Sequence, residues 1–171
     1  WMPFSSNRDF KANPRLIVEA KGVYLKNHQG QTQIDASSGL FCNPLGHGRE
    51  EIIEAITKQL RTVDYAQPFQ QGFGGSFELA TRISKHTPGN LNKMFYTICG
   101  STAVETAIKI AVAYHRAKGN AHRFRFVGRE RGYHGMNIGC VSVGGMINNV
   151  KTFASILMPG VQHMRHTHLP E

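Results

Sequence analysis

The stretch that decides the fold reads MFYTICGSTAVETAIKIAVAYHRAKG and covers residues 94–119. Its first five residues form a short apolar run, which is typical of a buried strand. Thr102 and Glu105 then stand at capping-box spacing, and small or apolar residues recur behind them at helical spacing as far as Gly119. The predicted buried face of this helix consists of Ala103, Ala107, Ile110 and Tyr114. The stretch therefore predicts a strand, a tight turn and a helix in direct succession.

The turn in the middle, Cys99-Gly100-Ser101, has the composition of an anion site. The first N–H groups of a helix lack intrahelical acceptors and lie at the positive end of the helix dipole. Gly100 allows a ligand to approach the backbone closely, and Ser101 adds a hydroxyl donor. In open α/β sheets, ligands gather at the carboxyl ends of strands, where this turn would lie. The turn is therefore a candidate phosphate site, although many turns that contain Gly and Ser bind nothing.

The flanking segments extend the alternation of strands and helices. Upstream, the predictions are an irregular arm (1–20), a hairpin (22–35) around Asn27-His28-Gln29-Gly30, a loop (37–48) and amphipathic helices (49–63 and 76–86). Downstream they are a strand (123–127), a further ordered element (141–143) and an irregular basic segment (159–171). This order predicts an α/β fold with a parallel sheet.

A second candidate motif is Gly132-Tyr133-His134-Gly135, which follows the strand predicted at 123–127. Glycines on both sides let the two aromatic rings project into a cleft, where Tyr133 could stack on a planar heterocycle. An ordinary turn with a buried tyrosine would have the same sequence.

Composition excludes several classes of function. The net charge is +9, with arginines clustered at 123, 125, 129 and 131. No known nucleic-acid-binding motif surrounds them, so we favour a solvated or interface surface over nucleic-acid binding. No apolar run approaches the ~20 residues of a membrane span. The three separated cysteines predict reduced thiols and a cytoplasmic setting. Apart from the terminal Glu171, no cysteine or carboxylate accompanies His163, His166 and His168 at metal spacing, so no metal site is predicted.

Taken in order, these motifs resemble the class III aminotransferases, which depend on pyridoxal phosphate (PLP), and within them the omega-amino acid (β-alanine):pyruvate branch. The resemblance covers essentially the whole chain. It rests on Trp1-Met2-Pro3-Phe4, Asn7-Arg8, FKANPR (10–15), Ser38-Gly39-Leu40-Phe41, Gly46-His47, TPGNLN (87–92), Gly100-Ser101 and Arg131-Gly132-Tyr133-His134-Gly135.

The resemblance implies a fold type I PLP transferase, with an N-terminal arm and small-domain segment at 1–68 and the first half of the PLP-binding large domain at 69–171. The implied cofactor-binding residues are Cys99, Gly100, Ser101, Tyr133 and His134. The implied substrate-binding residues are Phe4, Leu40, Phe41 and Phe69, the last reaching the neighbouring subunit of a homodimer. An amino group would pass from an omega-amino acid or primary amine to pyruvate.

The sequence departs from the family at Cys99, usually serine, at Ile98, usually small, at Thr102, often glutamate, and at Phe41, often tryptophan. The last change makes the amine donor uncertain. The resemblance also implies that the Schiff-base lysine and its acidic partner lie beyond Glu171, so the 171 residues alone are expected to be inactive. The alternatives are a non-catalytic truncated product or interaction fragment of the family and, less favoured, a basic anion or nucleic-acid binder.

Overall fold

The computed structural model describes residues 1–168, and Leu169, Pro170 and Glu171 lie outside the described part. The chain divides into two compact units, Trp1–Glu78 and Leu79–Glu171. The division falls within a helix, ten residues beyond the boundary expected from the resemblance. The domain assignment itself stays a prediction.

The first unit contains a three-stranded antiparallel sheet, in the order β1 (Ile17–Lys21), β2 (Tyr24–Asn27) and β3 (Thr32–Ile34). The predicted hairpin between β2 and β3 is confirmed. The side-chain oxygen of Asn27 closes its turn by accepting hydrogen bonds from the backbone N–H groups of Gln29 (3.0 Å) and Gln31 (2.9 Å).

The prediction of an irregular arm over residues 1–20 is wrong in two places. A short helix, α1 (Asn7–Ala12), and strand β1 both fall within it. Neither has a strong local pattern, and β1 owes its conformation to its pairing with β2, which single-segment periodicity does not report.

Three helical elements follow in the chain. α2 (Ser38–Phe41) is one short turn within the predicted loop, whereas α3 (Glu50–Thr62) and α4 (Gly74–Ile83) confirm the two predicted amphipathic helices. The apolar stripe of α3, which includes Ile56 and Leu60, is exposed among the described residues.

The second unit contains α5 (Gly100–Ala117), β4 (Phe126–Arg129), α6 (Ile138–Val143), α7 (Ile147–Thr152), a 3-10 helix (Ala154–Ile156) and β5 (Val161–Met164). β4 and β5 pair in parallel, with Gly128 opposite His163. The predicted α/β fold with a parallel sheet is therefore confirmed. No helix within residues 1–168 combines the length and apolar character of a membrane span.

Two strand predictions in this unit are wrong. The apolar run at 94–98 forms no strand in the described part of the chain. Conversely, residues predicted to be irregular after Pro159 form β5, which gains its order from β4. For β5 the ladder partner decides the outcome, and the local sequence does not identify that partner.

The long helix also differs from its prediction. α5 begins two residues before Thr102, so Thr102 is not its cap, and the capping box does not form. Its packed face is centred on Ile108, whereas Ile110 and Tyr114 on the predicted face are more than half exposed. Because α5 carries apolar residues on more than one side, periodicity alone chose the wrong stripe.

The buried centre of the second unit is made of small side chains. Cys140, Val141 and Ser142 of α6 are buried, together with several glycines. A Cβ added to Gly128 of β4 would collide with the carbonyl oxygen of Val143, so only glycine allows α6 to lie this close to β4.

Candidate phosphate-binding site

The turn before α5 presents the geometry of an anion site. Cys99 is the N-cap in an extended conformation (φ −163°, ψ 168°), and its side chain makes no capping hydrogen bond to the helix. A Cβ added to Gly100 would meet no other atom within 4 Å, so the space above the turn is open. The first N–H groups of this 18-residue helix lack intrahelical acceptors, so they are candidate donors to a ligand.

Ser101 has its hydroxyl oriented by a neighbouring loop. Its Oγ accepts a hydrogen bond from the backbone N–H of Met136 at 3.0 Å. Since a hydroxyl can accept and donate at once, the hydrogen of Ser101 remains available to donate to an anion. The carbonyl oxygen of Ser101 in turn accepts a hydrogen bond from the thiol of Cys140 at 3.2 Å.

Cys99, the first residue of the turn, is exposed. Its Sγ lies 3.3 Å from the hydroxyl oxygen of Thr102. Hydrogen bonds from Thr102, its side chain foremost, and then from Ser101 lower the pKa of the Cys99 thiol. The helix terminus therefore favours negative charge at this sulfur, as it would on a bound anion.

The structure brings the second motif to the same turn. Gly135 is buried and has a φ of +124°, and a Cβ added there would lie 2.5 Å from Oγ and 2.8 Å from Cα of Ser101. Tyr133, two residues earlier, leaves 61% of its surface exposed, which suits a ring with a free face. The ring of His134 folds back toward Gly132. The contact of Tyr133 or His134 with a cofactor stays a prediction.

The prediction that Glu105 belongs to a capping box is wrong. Its Oε1 accepts a hydrogen bond of 2.6 Å from the backbone N–H of Gly139, near the start of α6. Burial, and then the charge of this carboxylate, raise the pKa of the Cys140 thiol. Glu105 therefore fixes α6 against α5, a long-range contact that capping-box spacing cannot reveal.

The predicted substrate-binding residues all lie in the first unit. Phe4, Leu40, Phe41 and Phe69 are highly exposed, and Leu40 and Phe41 belong to α2. Within α2 the φ angles of Ser38, Gly39, Leu40 and Phe41 lie between 52° and 68°, so the turn is left-handed. This conformation costs roughly 1–2 kcal/mol at each residue that carries a Cβ. Their substrate contacts stay predictions.

The loop that contains α2 is held by a residue pair that sequence analysis did not single out. Asp35 and His47 lie twelve residues apart, and the His47 Nε2 is 3.1 Å from the Asp35 Oδ2. The Asp35 side chain is only 7% exposed. The aspartate after a strand and the histidine after Gly46 were visible in the sequence, but their distance was not.

The histidines near the end of the chain do not converge. His163 lies with its Nε2 2.7 Å from the carbonyl oxygen of Gly144, and the rings of His166 and His168 stack at 6.4 Å. No group of three potential metal ligands is found within residues 1–168.

The residues at the turn before α5 fit a phosphate ester attached to a planar ring. Gly100 and Ser101 stand at the start of α5, where backbone N–H groups lack intrahelical acceptors, and the Ser101 hydroxyl supplies a further donor. Tyr133 supplies an exposed aromatic face on the adjoining loop. PLP combines these two chemical parts, a phosphate group and a pyridine ring.

Comparison with known proteins agrees with this geometry. Residues 5–170 match the family described as aminotransferase class III. Over 98% of the chain the sequence is 46% identical to an omega-aminotransferase of Caulobacter vibrioides and 47% identical to an omega-amino acid–pyruvate aminotransferase of Pseudomonas putida. It is 45% identical, over 99% of the chain, to a beta-alanine–pyruvate aminotransferase of Pseudomonas aeruginosa. The chain spans only 37–38% of the length of these relatives.

A solved structure gives the same result. The omega transaminase of Pseudomonas jessenii in complex with PMP superposes with a TM-score of 0.93 at 28% identity, over 98% of this chain and 37% of that one. The fold is that of the fold type I PLP-dependent transaminases. The chain belongs to the class III aminotransferases, a family whose cofactor is PLP.

Proposed function

We propose that the full-length protein carrying this sequence transfers an amino group from an omega-amino acid or a primary amine to pyruvate, with PLP as cofactor. The observation that carries the proposal is the donor-lined turn at Gly100 and Ser101, joined to the Tyr133 loop through Gly135. The similarity of 45–47% to relatives named for omega-amino acids, β-alanine and pyruvate supports the choice of substrates.

In this proposal, different residues bind the cofactor phosphate, the pyridine ring and the amine substrate. The backbone N–H groups of Gly100 and Ser101 and the Ser101 hydroxyl donate to the phosphate, and the ring of Tyr133 packs on the pyridine. Leu40 and Phe41, with Phe4 and Phe69, shape an apolar pocket for the part of the amine that carries no charge. PLP, when bound, supplies the electron sink and the carrier for the amino group.

The 171 residues alone are proposed to be inactive. This proposal rests on the resemblance, which implies that the lysine that binds PLP covalently lies beyond Glu171 in the intact protein. Homodimer formation, with Phe69 near the neighbouring subunit's site, and a cytoplasmic location are part of the same proposal for the intact protein.

The test uses the purified full-length protein loaded with PLP. The absorbance of the bound PLP reports cofactor binding. We expect alanine to form from pyruvate when β-alanine or a simple primary amine is supplied, and far less product with 2-oxoglutarate as acceptor. PLP binding without alanine formation from any such donor would refute the substrate assignment. No PLP binding would favour a non-catalytic product of the family. Turnover by the 171-residue chain would refute its proposed inactivity.

A further inference from the structure

The loop that carries Leu40 and Phe41 is closed at its base by backbone pairing with one corner of the sheet. The N–H of Asp35 donates to the carbonyl oxygen of Val23 at 2.8 Å. The N–H and carbonyl of His47 pair with those of Gly22, both at 2.8 Å. Asp35 and His47 therefore start from fixed backbone positions next to each other, as at the closed base of an Ω-loop.

The carboxylate of Asp35 is fully occupied by this loop. Oδ2 accepts hydrogen bonds from the backbone N–H of Gly39 at 2.8 Å and contacts the ring of His47. Oδ1 accepts from the N–H of Ser37 at 3.2 Å and from its hydroxyl at 3.1 Å. No lysine or arginine within residues 1–168 forms an ion pair with it. All its partners thus lie on the loop itself.

Packing in the first unit does not hold the turn. Leu40 is 74% exposed and Phe41 86% exposed, so neither side chain anchors its own backbone. The turn instead depends on short-range hydrogen bonds. The N–H of Phe41 donates to the carbonyl oxygen of Ser37 at 2.9 Å, and the N–H of Gly39 donates to the Asp35 carboxylate. A left-handed turn in which Ser38, Leu40 and Phe41 have positive φ persists only when its surroundings impose it.

We infer that Asp35 and His47 form a clamp that imposes the left-handed turn at 38–41, and that they are positioning residues for amine specificity, acting through Leu40 and Phe41. The clamp itself rests on the contacts above. Its effect on specificity rests on the proposed function. Neither residue is placed in contact with the cofactor or the reacting atoms.

The test uses the full-length, PLP-loaded protein and four variants. Asp35→Asn and His47→Leu break the clamp, whereas His47→Gln keeps an N–H donor near Oδ2. Glu19→Gln is the matched control, because it removes an exposed carboxylate on the same sheet that pairs with Lys26 at 3.2 Å.

The first readout is amide hydrogen exchange of peptides that cover residues 36–45. We expect exchange about tenfold faster in D35N and H47L, the effect of losing one hydrogen bond to a charged group, and no change in H47Q and E19Q. Unchanged exchange in D35N would refute the clamp. If D35N does not fold, the contrast between H47L and H47Q decides the same question.

The second readout is the ratio of KM for a bulky aryl amine to KM for β-alanine, with kcat and PLP content measured in parallel. We expect D35N to change this ratio about tenfold while PLP content stays at the wild-type level. Faster exchange with an unchanged ratio would refute the role in specificity. A wild-type protein without any turnover would refute the proposed function, and the exchange experiment would still judge the clamp.

Discussion

Replacing Gly135 with alanine is the sharpest test of how the two candidate motifs meet. A φ of +124° is foreign to residues with a Cβ and costs on the order of 1–3 kcal/mol. The new methyl group would also stand 2.8 Å from Cα of Ser101, a backbone atom that no change of rotamer can move. Overpacking of this kind costs about 1–3 kcal/mol. Together the two effects predict a loss of roughly 2–6 kcal/mol.

This loss has to appear in stability, in cofactor binding or in both. If the loop moves away, the hydrogen bond between Met136 and Ser101 breaks and the Ser101 hydroxyl loses its orientation. One misplaced hydrogen bond to a charged phosphate is worth about 1.5–3 kcal/mol, or roughly tenfold to a hundredfold in affinity. Urea unfolding of the full-length protein and absorbance titration with PLP measure the two quantities.

Substitutions at two other glycines separate the conformational cost from the steric cost. Gly30 has a φ of +80° but open space around it, so Gly30→Ala carries only the conformational cost. Gly74 has neither a positive φ nor a close neighbour, so Gly74→Ala is expected to be neutral or slightly stabilising. A Gly135→Ala protein that is no less stable than Gly30→Ala, and binds PLP as tightly as the wild type, would refute the close approach to Ser101.

Four further results are expected. Ser101→Ala should weaken PLP binding by roughly tenfold to a hundredfold in the same titration, and unchanged affinity would remove its hydroxyl from the site. Glu105→Gln should raise hydrogen exchange at residues 137–141, because a neutral amide is a weaker acceptor than a carboxylate; a wild-type exchange pattern would contradict this role. The lowered pKa of Cys99 and the raised pKa of Cys140 predict that iodoacetamide labels Cys99 at lower pH. PLP should slow that labelling, and equal pH profiles for the two thiols would count against the geometry. The pKa of Asp35 is lowered, chiefly by the hydrogen bond to His47, so its stabilising effect is present above the unfolded value and lost as pH falls through the folded one. Acid unfolding should therefore become less steep in Asp35→Asn, and identical acid limbs would contradict it.

Local sequence patterns predicted the features that depend on local causes. Asn27 and Gly30 closed the hairpin, and the apolar spacing of α3 gave its limits to within a residue. A long helix follows Cys99 as expected, although it begins at Gly100 and not at Thr102. Each of these depends on turn chemistry or helical periodicity, and both are written within a dozen neighbouring residues.

Local sequence patterns did not predict the features that depend on residues far apart in the sequence. Glu105 looked like a capping residue, yet it binds Gly139, 34 positions away. Residues 17–21 and 161–164 became strands through β2 and β4, whereas the more apolar run at 94–98 forms no strand within residues 1–168. Loop closure between Asp35 and His47 belongs to the same class, because spacing does not report which side chains meet.

The orientation of the Ser101 hydroxyl has a consequence for the ionisation state of whatever binds at the turn. Met136 already donates to that oxygen, and the helix start adds backbone N–H groups, so a ligand meets an array of hydrogen-bond donors. Such an array binds a ligand more tightly as its negative charge increases, and a phosphate monoester gains its second negative charge above a pH of about 6. The turn should thus select the dianion over the monoanion, and retention of the cofactor should weaken in acid even while the fold stays intact.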